Sequence, residues 1–251
     1  MKKIILFISV IFTGSVTQAQ IADSLWEKAN AAYAQGNFEE AIIAYKEIEG
    51  SGKVSSDLYF NMGNTYFKQQ HLPEAILYYE RANKLKPEDK DILHNLAIAN
   101  ARTLDKVEII PDFIISTWIK NLRRAVDTDS WAVFSLFFLA ASFLFFLLFF
   151  FARNVRLRKF SFFSAASFIV FIVICVIFAA EQKKEMLDHS EAIIFPAVVT
   201  VKSAPNQDGK DLFILHEGAK VVILEEVREW QRIQLLDGKE GWIIANSTQR
   251  I

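Results

Sequence analysis

The side chains best suited to catalysis in this chain are four histidines, His71, His94, His189 and His216, and they are scattered over three segments. None has a nearby Cys, His or carboxylate at metal-ligand spacing, and none is set against a nucleophile that it would activate. Glu39-Glu40 and Glu225-Glu226 read as solvated pairs, there is no phosphate loop, and Cys175 stands alone, so no intrachain disulfide can form. The expectation is a protein without catalytic, cofactor or metal residues. What remains is recognition chemistry. Asn30, Asn61, Asn64, Lys68 and Asn95 offer amide and ammonium groups suited to a protein-binding groove, with local hydrogen bonding or solvation as the competing role for each. Trp230 and Trp242 offer an apolar shelf for a ligand on a second module, with core packing as the competing role, above all for Trp242.

The elements that must position the first set repeat. Leu25, Tyr59 and Leu93 are spaced by 34, as are Ala29, Gly63 and Ala97, and Ala41 and Ala75 keep the same spacing. First helices are expected over Trp26–Gln35 and Tyr59–Gln69, and second helices over Phe38–Glu49 and Leu72–Leu85. Gly36-Asn37 and Gln70-His71 form the turns between them. The small residues permit close approach of paired helices. This is the tetratricopeptide pattern, with units 22–55, 56–89 and a partial 90–105 inside a domain 20–106. Stacked first helices line a concave face that would carry the five groove residues. A clamp for a C-terminal carboxylate is not expected. Asn30 and Asn61 match that clamp, but Trp26 replaces its first lysine, and Asp91 and Asn95 occupy its third-repeat basic positions. The groove is expected to read an internal segment or a folded surface.

Two uncharged apolar runs follow, Trp131–Ala152 and Phe160–Ala180, separated by a loop 153–159 that holds Arg153, Arg156, Arg158 and Lys159. Each is long enough to cross a bilayer, and so short a loop makes a hairpin that returns the chain to the side it came from. The basic loop predicts a cytoplasmic turn. Residues 1–19, with Lys2, Lys3 and the apolar stretch Ile4–Phe12, have the layout of a secretory signal, an uncleaved anchor being the alternative. Both modules are then expected on the periplasmic face of the inner (cytoplasmic) membrane. Between repeat and hairpin, 107–130 reads as an amphipathic linker that either lies along the membrane surface or caps the repeat. Ser135, Ser142, Ser164 and Ser167 are expected to pack against partners within the membrane. A net charge of -1 over 251 residues gives no sign of the basic surface that nucleic acid would want.

After a polar connector, 181–190, the period changes to that of strands: Ala192–Val201, Lys220–Leu224, Trp230–Leu235 and Gly241–Ala245, with Asp237-Gly238 as a tight turn. The module 191–251 resembles bacterial SH3-like domains. Val199–Pro205 is similar to their opening strand, Leu215–Val221 to the turn carrying Gly218, and Trp230 through Gly241-Trp242-Ile243 to the closing hairpin. Several relatives of that kind bind cell-wall peptide or glycan, which raises the same ligand here.

The order of modules, with Asp91–Ala97, His189–Phe195, Thr200–Ser203 and Asp211–Gly218, resembles the BatE family of the Bacteroides aerotolerance (Bat) operons over nearly the whole chain. The resemblance implies a multidomain membrane protein: an all-α tetratricopeptide helical repeat, a two-helix transmembrane hairpin and a small all-β SH3-like barrel. It also implies a non-enzymatic scaffold linked to aerotolerance or envelope stress. Its partners would be other Bat-type membrane proteins with integrin-type metal-binding domains, together with a MoxR-like ATPase. A cell-wall-binding sensor or anchor acting through the barrel is the alternative.

Overall fold

The computed structural model describes residues 23–87, 89–105 and 114–251; the signal reading of 1–19 and the start of the 107–130 linker lie outside them. The described residues fall into two compact units. One joins those up to 105 with His189–Ile251, and the other holds those from 114 to 188.

In the first unit five helices alternate in antiparallel pairs: α1 (23–34), α2 (Phe38–Gly50), α3 (Ser56–Lys68), α4 (Leu72–Leu85) and α5 (Lys90–Ala101). Their starts are written in the sequence. The Ser55 side chain accepts a hydrogen bond from Leu58 N, Asp89 accepts from Asp91 N and Ile92 N, and Pro73 stands in the first turn of α4. The turns at Gly36 and Gln70 share the left-handed backbone, φ +81° and +65°. Ala29, Ala41 and Ala75 are fully buried, and a Cβ on Gly63 would stand 2.6 Å from the Tyr79 ring, so the spaced small residues do set the helix separation. Ala97, the third member of that series, is exposed.

The β module is a seven-stranded antiparallel sheet of order β3-β2-β6-β5-β4-β1-β7. Its strands are β1 (Glu191–Ile194), β2 (Val198–Lys202), β3 (Asp211–His216), β4 (Lys220–Val227), β5 (Trp230–Gln234), β6 (Glu240–Ile244) and β7 (Thr248–Arg250). The single strand expected over Ala192–Val201 is two, broken at Phe195-Pro196, and β3 and β7 are additional. Strands β1 to β6 all contribute to one apolar cluster, including Ile194, Val201, Leu215, Val221, Ile233 and Ile243, so the sheet curls around it.

Repeat and sheet share a core. Strand β1 is buried on both faces: Ala192 and Ile194 face the sheet's cluster, while Ile193 packs with Ile251 and Phe195 among the repeat's side chains. Around this seam Lys220 Nζ lies 3.1 Å from Glu80 and 3.0 Å from Glu191, and Arg81 donates to Arg250 O at 2.8 Å. The Asp105 carboxylate accepts from both His216 N and its ring Nδ1, at 2.6 and 2.9 Å. Gly218, in the β3–β4 turn with φ +82°, approaches so closely that a Cβ would be 2.9 Å from Thr103 and 3.0 Å from Ile76.

The second unit comprises α6 (Ile114–Arg124), α7 (Thr128–Phe151) and α8 (Val155–Leu187). Helices α7 and α8 are long and apolar enough to cross a membrane. They run antiparallel, with Trp131 against Phe178, Phe138 against Phe171 and Phe145 against Phe160. The link is shorter than the expected 153–159: Asn154 caps α8 by accepting from Arg156 N, so Arg156, Arg158 and Lys159 are helical. The expected connector is likewise helical as far as Leu187. Ser142 donates to Ala165 O across the hairpin and Ser135 to Ala132 O of its own helix, so these two hydroxyls are satisfied within the chain.

Candidate functional site

The five groove residues divide into two groups by what their atoms touch. Asn30 Oδ1 accepts from Tyr45 Oη at 2.6 Å and from Asn61 Nδ2 at 3.2 Å. One repeat later, Asn64 Oδ1 accepts from Tyr79 Oη at 2.8 Å and from Asn95 Nδ2 at 2.8 Å. The two clusters are the same cluster moved along by one unit. Each Asn of a first helix ties the tyrosine of its own second helix to the first helix of the next unit. The spacing of 34 between Asn30 and Asn64, Asn61 and Asn95, and Tyr45 and Tyr79 was the sequence signal for this ladder.

The ladder does not close the surface over it. Tyr33, Asn64, Phe67, Lys68, Tyr79, Asn95 and Ile98 line a cavity of about 260 Å³. Three of the expected groove residues, Asn64, Lys68 and Asn95, therefore meet at one cavity, while Asn30 and Asn61 form the preceding rung outside it. Lys68 is exposed, and the Arg102 guanidinium lies 4.2 Å from the centre of the Phe67 ring, so the cavity has cations on its lining and rim. Its lining joins apolar and aromatic side chains to two amides with N–H capacity left over. That arrangement suits an extended peptide carrying an apolar side chain and an acidic one. Trp26, at the clamp's first lysine position, packs edge-on against Tyr45 at 5.9 Å and contributes no charge.

Burial shapes the electrostatics of the repeat's tyrosines. It pushes the Tyr45 phenol up to about 12, and Tyr79 and Tyr78 move further in the same direction, with Glu49 adding to the effect at Tyr78. These phenols are neutral donors at any physiological pH. At the seam with the sheet, burial pulls the Lys220 ammonium down, but Glu80 and Glu191 together outweigh it and hold the group above its ordinary value.

On the sheet, β5 and β6 pair Trp230 with Ile244 and Arg232 with Trp242. Gln231, Ile233, Gly241 and Ile243 are buried, so by alternation both tryptophans lie on the opposite face. Core packing of Trp242 is thereby corrected: the inward positions beside it belong to Gly241 and Ile243. Trp230 and Trp242 hold diagonal positions of the hairpin, and Arg232, directly opposite Trp242, pairs with Glu240 at 2.7 Å.

Tetratricopeptide repeat models match residues 56–89 and 16–55, and a bacterial SH3 domain model matches 197–248. Human tetratricopeptide repeat protein 12 is 36% identical over 117 residues, a match that takes in 43% of this chain and 16% of that relative's length. The chain thus carries tetratricopeptide repeats and a bacterial SH3 domain, both of them interaction modules in ordinary use.

Proposed function

We propose that this protein is a non-enzymatic, membrane-anchored scaffold that holds a protein segment in its repeat groove, within an envelope complex of the Bat type. The observation that carries the reading is the cavity where Asn64, Lys68 and Asn95 converge with aromatic side chains, with Asn30 and Asn61 bracing the preceding rung. Anchoring is supported by the exposed side chains of α7 and α8, Phe137, Phe143, Phe150 and Phe163 among them, which water would not tolerate as a continuous surface. The orientation has its own support. Arg156 and Arg158 occupy the first turn of α8 and Lys159 follows directly, where the helix dipole disfavours cations, so their placement answers to something other than helix stability. Retention on the cytoplasmic side supplies that reason. In this reading the repeat and the SH3 domain face the periplasm, and the partners are Bat-type membrane proteins with integrin-type domains.

A second reading, a cell-wall sensor or anchor, is favoured by the bacterial SH3 match together with the outward placement of Trp230 and Trp242. Photo-crosslinking in intact cells separates the two. A reactive residue at Lys68 should give a discrete adduct with one envelope protein, and the same group at Trp230 should give none with wall material. Wall adducts at Trp230 with nothing at Lys68 would transfer the function to the sheet.

A further inference from the structure

Helix α6 divides its side chains by chemistry. At 100° per residue, Ile114, Ile115, Trp118, Ile119 and Leu122 fall within an arc of about 140°, and Ser116, Thr117, Lys120, Asn121, Arg123 and Arg124 fill the rest. The five apolar residues are all exposed, from 43% to 84%. A helix with so apolar a stripe and so polar a back is stable only where the stripe is covered.

The contacts at the end of α6 indicate what covers it. Arg123, 6% exposed as a residue, pairs with Glu181 and Glu185, and Arg124 lies 3.6 Å from Glu185. Trp131 Nε1 donates to Arg123 O at 2.9 Å, and Gln182 Nε2 donates to Val126 O at 3.2 Å. Trp131 opens the first apolar run, and Glu181 is the first residue after the second. Two antiparallel helices therefore fix the C-terminal end of α6 at one level, the level at which each changes from apolar to polar. In a bilayer that level is the boundary between acyl chains and headgroups. Indole rings such as those of Trp118 and Trp131 favour this depth.

We infer that α6 is an interfacial helix whose stripe Ile114–Leu122 lies in the lipid surface at the N-terminal end of α7, about 5–10 Å into the headgroup boundary. Lys120 is centred on the opposite face of the helix. Arg123 and Arg124, held by Glu181 and Glu185, act as the strap that sets the helix parallel to the bilayer. The inference rests on the reading of α7 and α8 as membrane spans, and it adds a second attachment of the repeat's tether to the same surface.

The test is site-directed spin labelling of the full chain in lipid vesicles. Single cysteines at Ile115, Ile119, Thr117 and, in α7, Phe146 would be placed in a Cys175→Ser background. Collision with oxygen, which concentrates in lipid, is compared with collision with a water-soluble nickel chelate. Ile115 and Ile119 should resemble Phe146, with nickel collision several-fold below that at Thr117. If all three α6 sites are as open to nickel as one another while Phe146 is shielded, the helix is off the membrane and the inference fails alone. Shielding of the α6 sites from both reagents would mean a protein cover and would overturn it too. Nickel access at Phe146 would remove the membrane reading itself, and the interfacial helix with it. A further variant, Arg123→Gln, should raise nickel access at Ile119 if the strap holds the helix down; no change would remove that role from Arg123.

Discussion

A Cβ at Gly63 would meet the Tyr79 ring at 2.6 and 2.7 Å, and that ring cannot withdraw because its hydroxyl is tied to Asn64. Overpacking costs about 1–3 kcal/mol and the helix gains about 1 kcal/mol from losing a glycine, so Gly63→Ala should destabilise the helical repeat by about 1 kcal/mol net, read as a lower urea midpoint. Removing the hydroxyl, as in Tyr79→Phe, should cost about 1 kcal/mol by leaving Asn64 with one partner fewer. Lys68→Glu behaves differently. The side chain is exposed, so stability should move by less than about 0.5 kcal/mol, while capture of the partner at the groove is lost. A drop in stability comparable to that of Tyr79→Phe would make Lys68 a structural residue. The buried tyrosines also set a pH limit. Their folded-state values lie above the ordinary phenol value of 10.0, so their contribution is complete below pH 10 and disappears as the pH climbs through about 12 for Tyr45. Each group favours unfolding by about 1.4 kcal/mol per pH unit across that window. Tyrosinate absorbance at 295 nm should rise together with loss of helical circular dichroism. Ionisation of all six tyrosines before helix loss would contradict the burial.

Among the elements, the seam between α4 and β1 decides whether repeat and sheet act separately. Gly218→Ala adds a Cβ at φ +82° against Thr103 and Ile76, a backbone cost of about 1–2 kcal/mol before any clash. Lys220→Met leaves the buried Glu80 carboxylate without its cation, at about 3 kcal/mol. Either change should raise amide exchange in α4 and β1 together, and exchange confined to the sheet would show that the seam contributes no stability. The sequence made the helices legible because small residues recur at a fixed interval, and it made β5 and β6 legible because their apolar residues alternate. It hid β3, whose Leu212-Phe213-Ile214-Leu215 is continuously apolar with Leu212 and Ile214 exposed, and β7, which is short and polar. The seam was illegible for a related reason. Ile193 and Ile194 look like one apolar pair, but their side chains belong to two different cores. Of the cavity, the positions of Asn64, Lys68 and Asn95 were readable from the repeat register, while Asn30 and Asn61 fall outside it. The hydrogen-bonded ladder needed the additional comparison of asparagine and tyrosine positions across units.

At the scale of the whole molecule, residues before the α7–α8 hairpin and residues after it pack into one compact unit, with a shared core at Ile193 and Ile251. Two legs of a chain that fold together must emerge on the same side of any membrane the hairpin crosses. An even number of spans is therefore required by packing alone, independently of charge. Single cysteines at Glu27, Asp208 and Arg153, again without Cys175, test this with a thiol reagent that cannot cross the inner membrane. All three native residues are exposed, so shielding would report compartment and not burial. With the modules on the periplasmic side, as proposed, Glu27→Cys and Asp208→Cys should react at once in spheroplasts, and Arg153→Cys only after lysis. If Arg153→Cys reacts first and the other two are protected, the hairpin crosses but faces the other way, and the groove would serve cytoplasmic partners. If Glu27→Cys and Asp208→Cys differ from each other, the hairpin and the seam are wrong together, because two legs in different compartments cannot share the core that Ile193 and Ile251 complete.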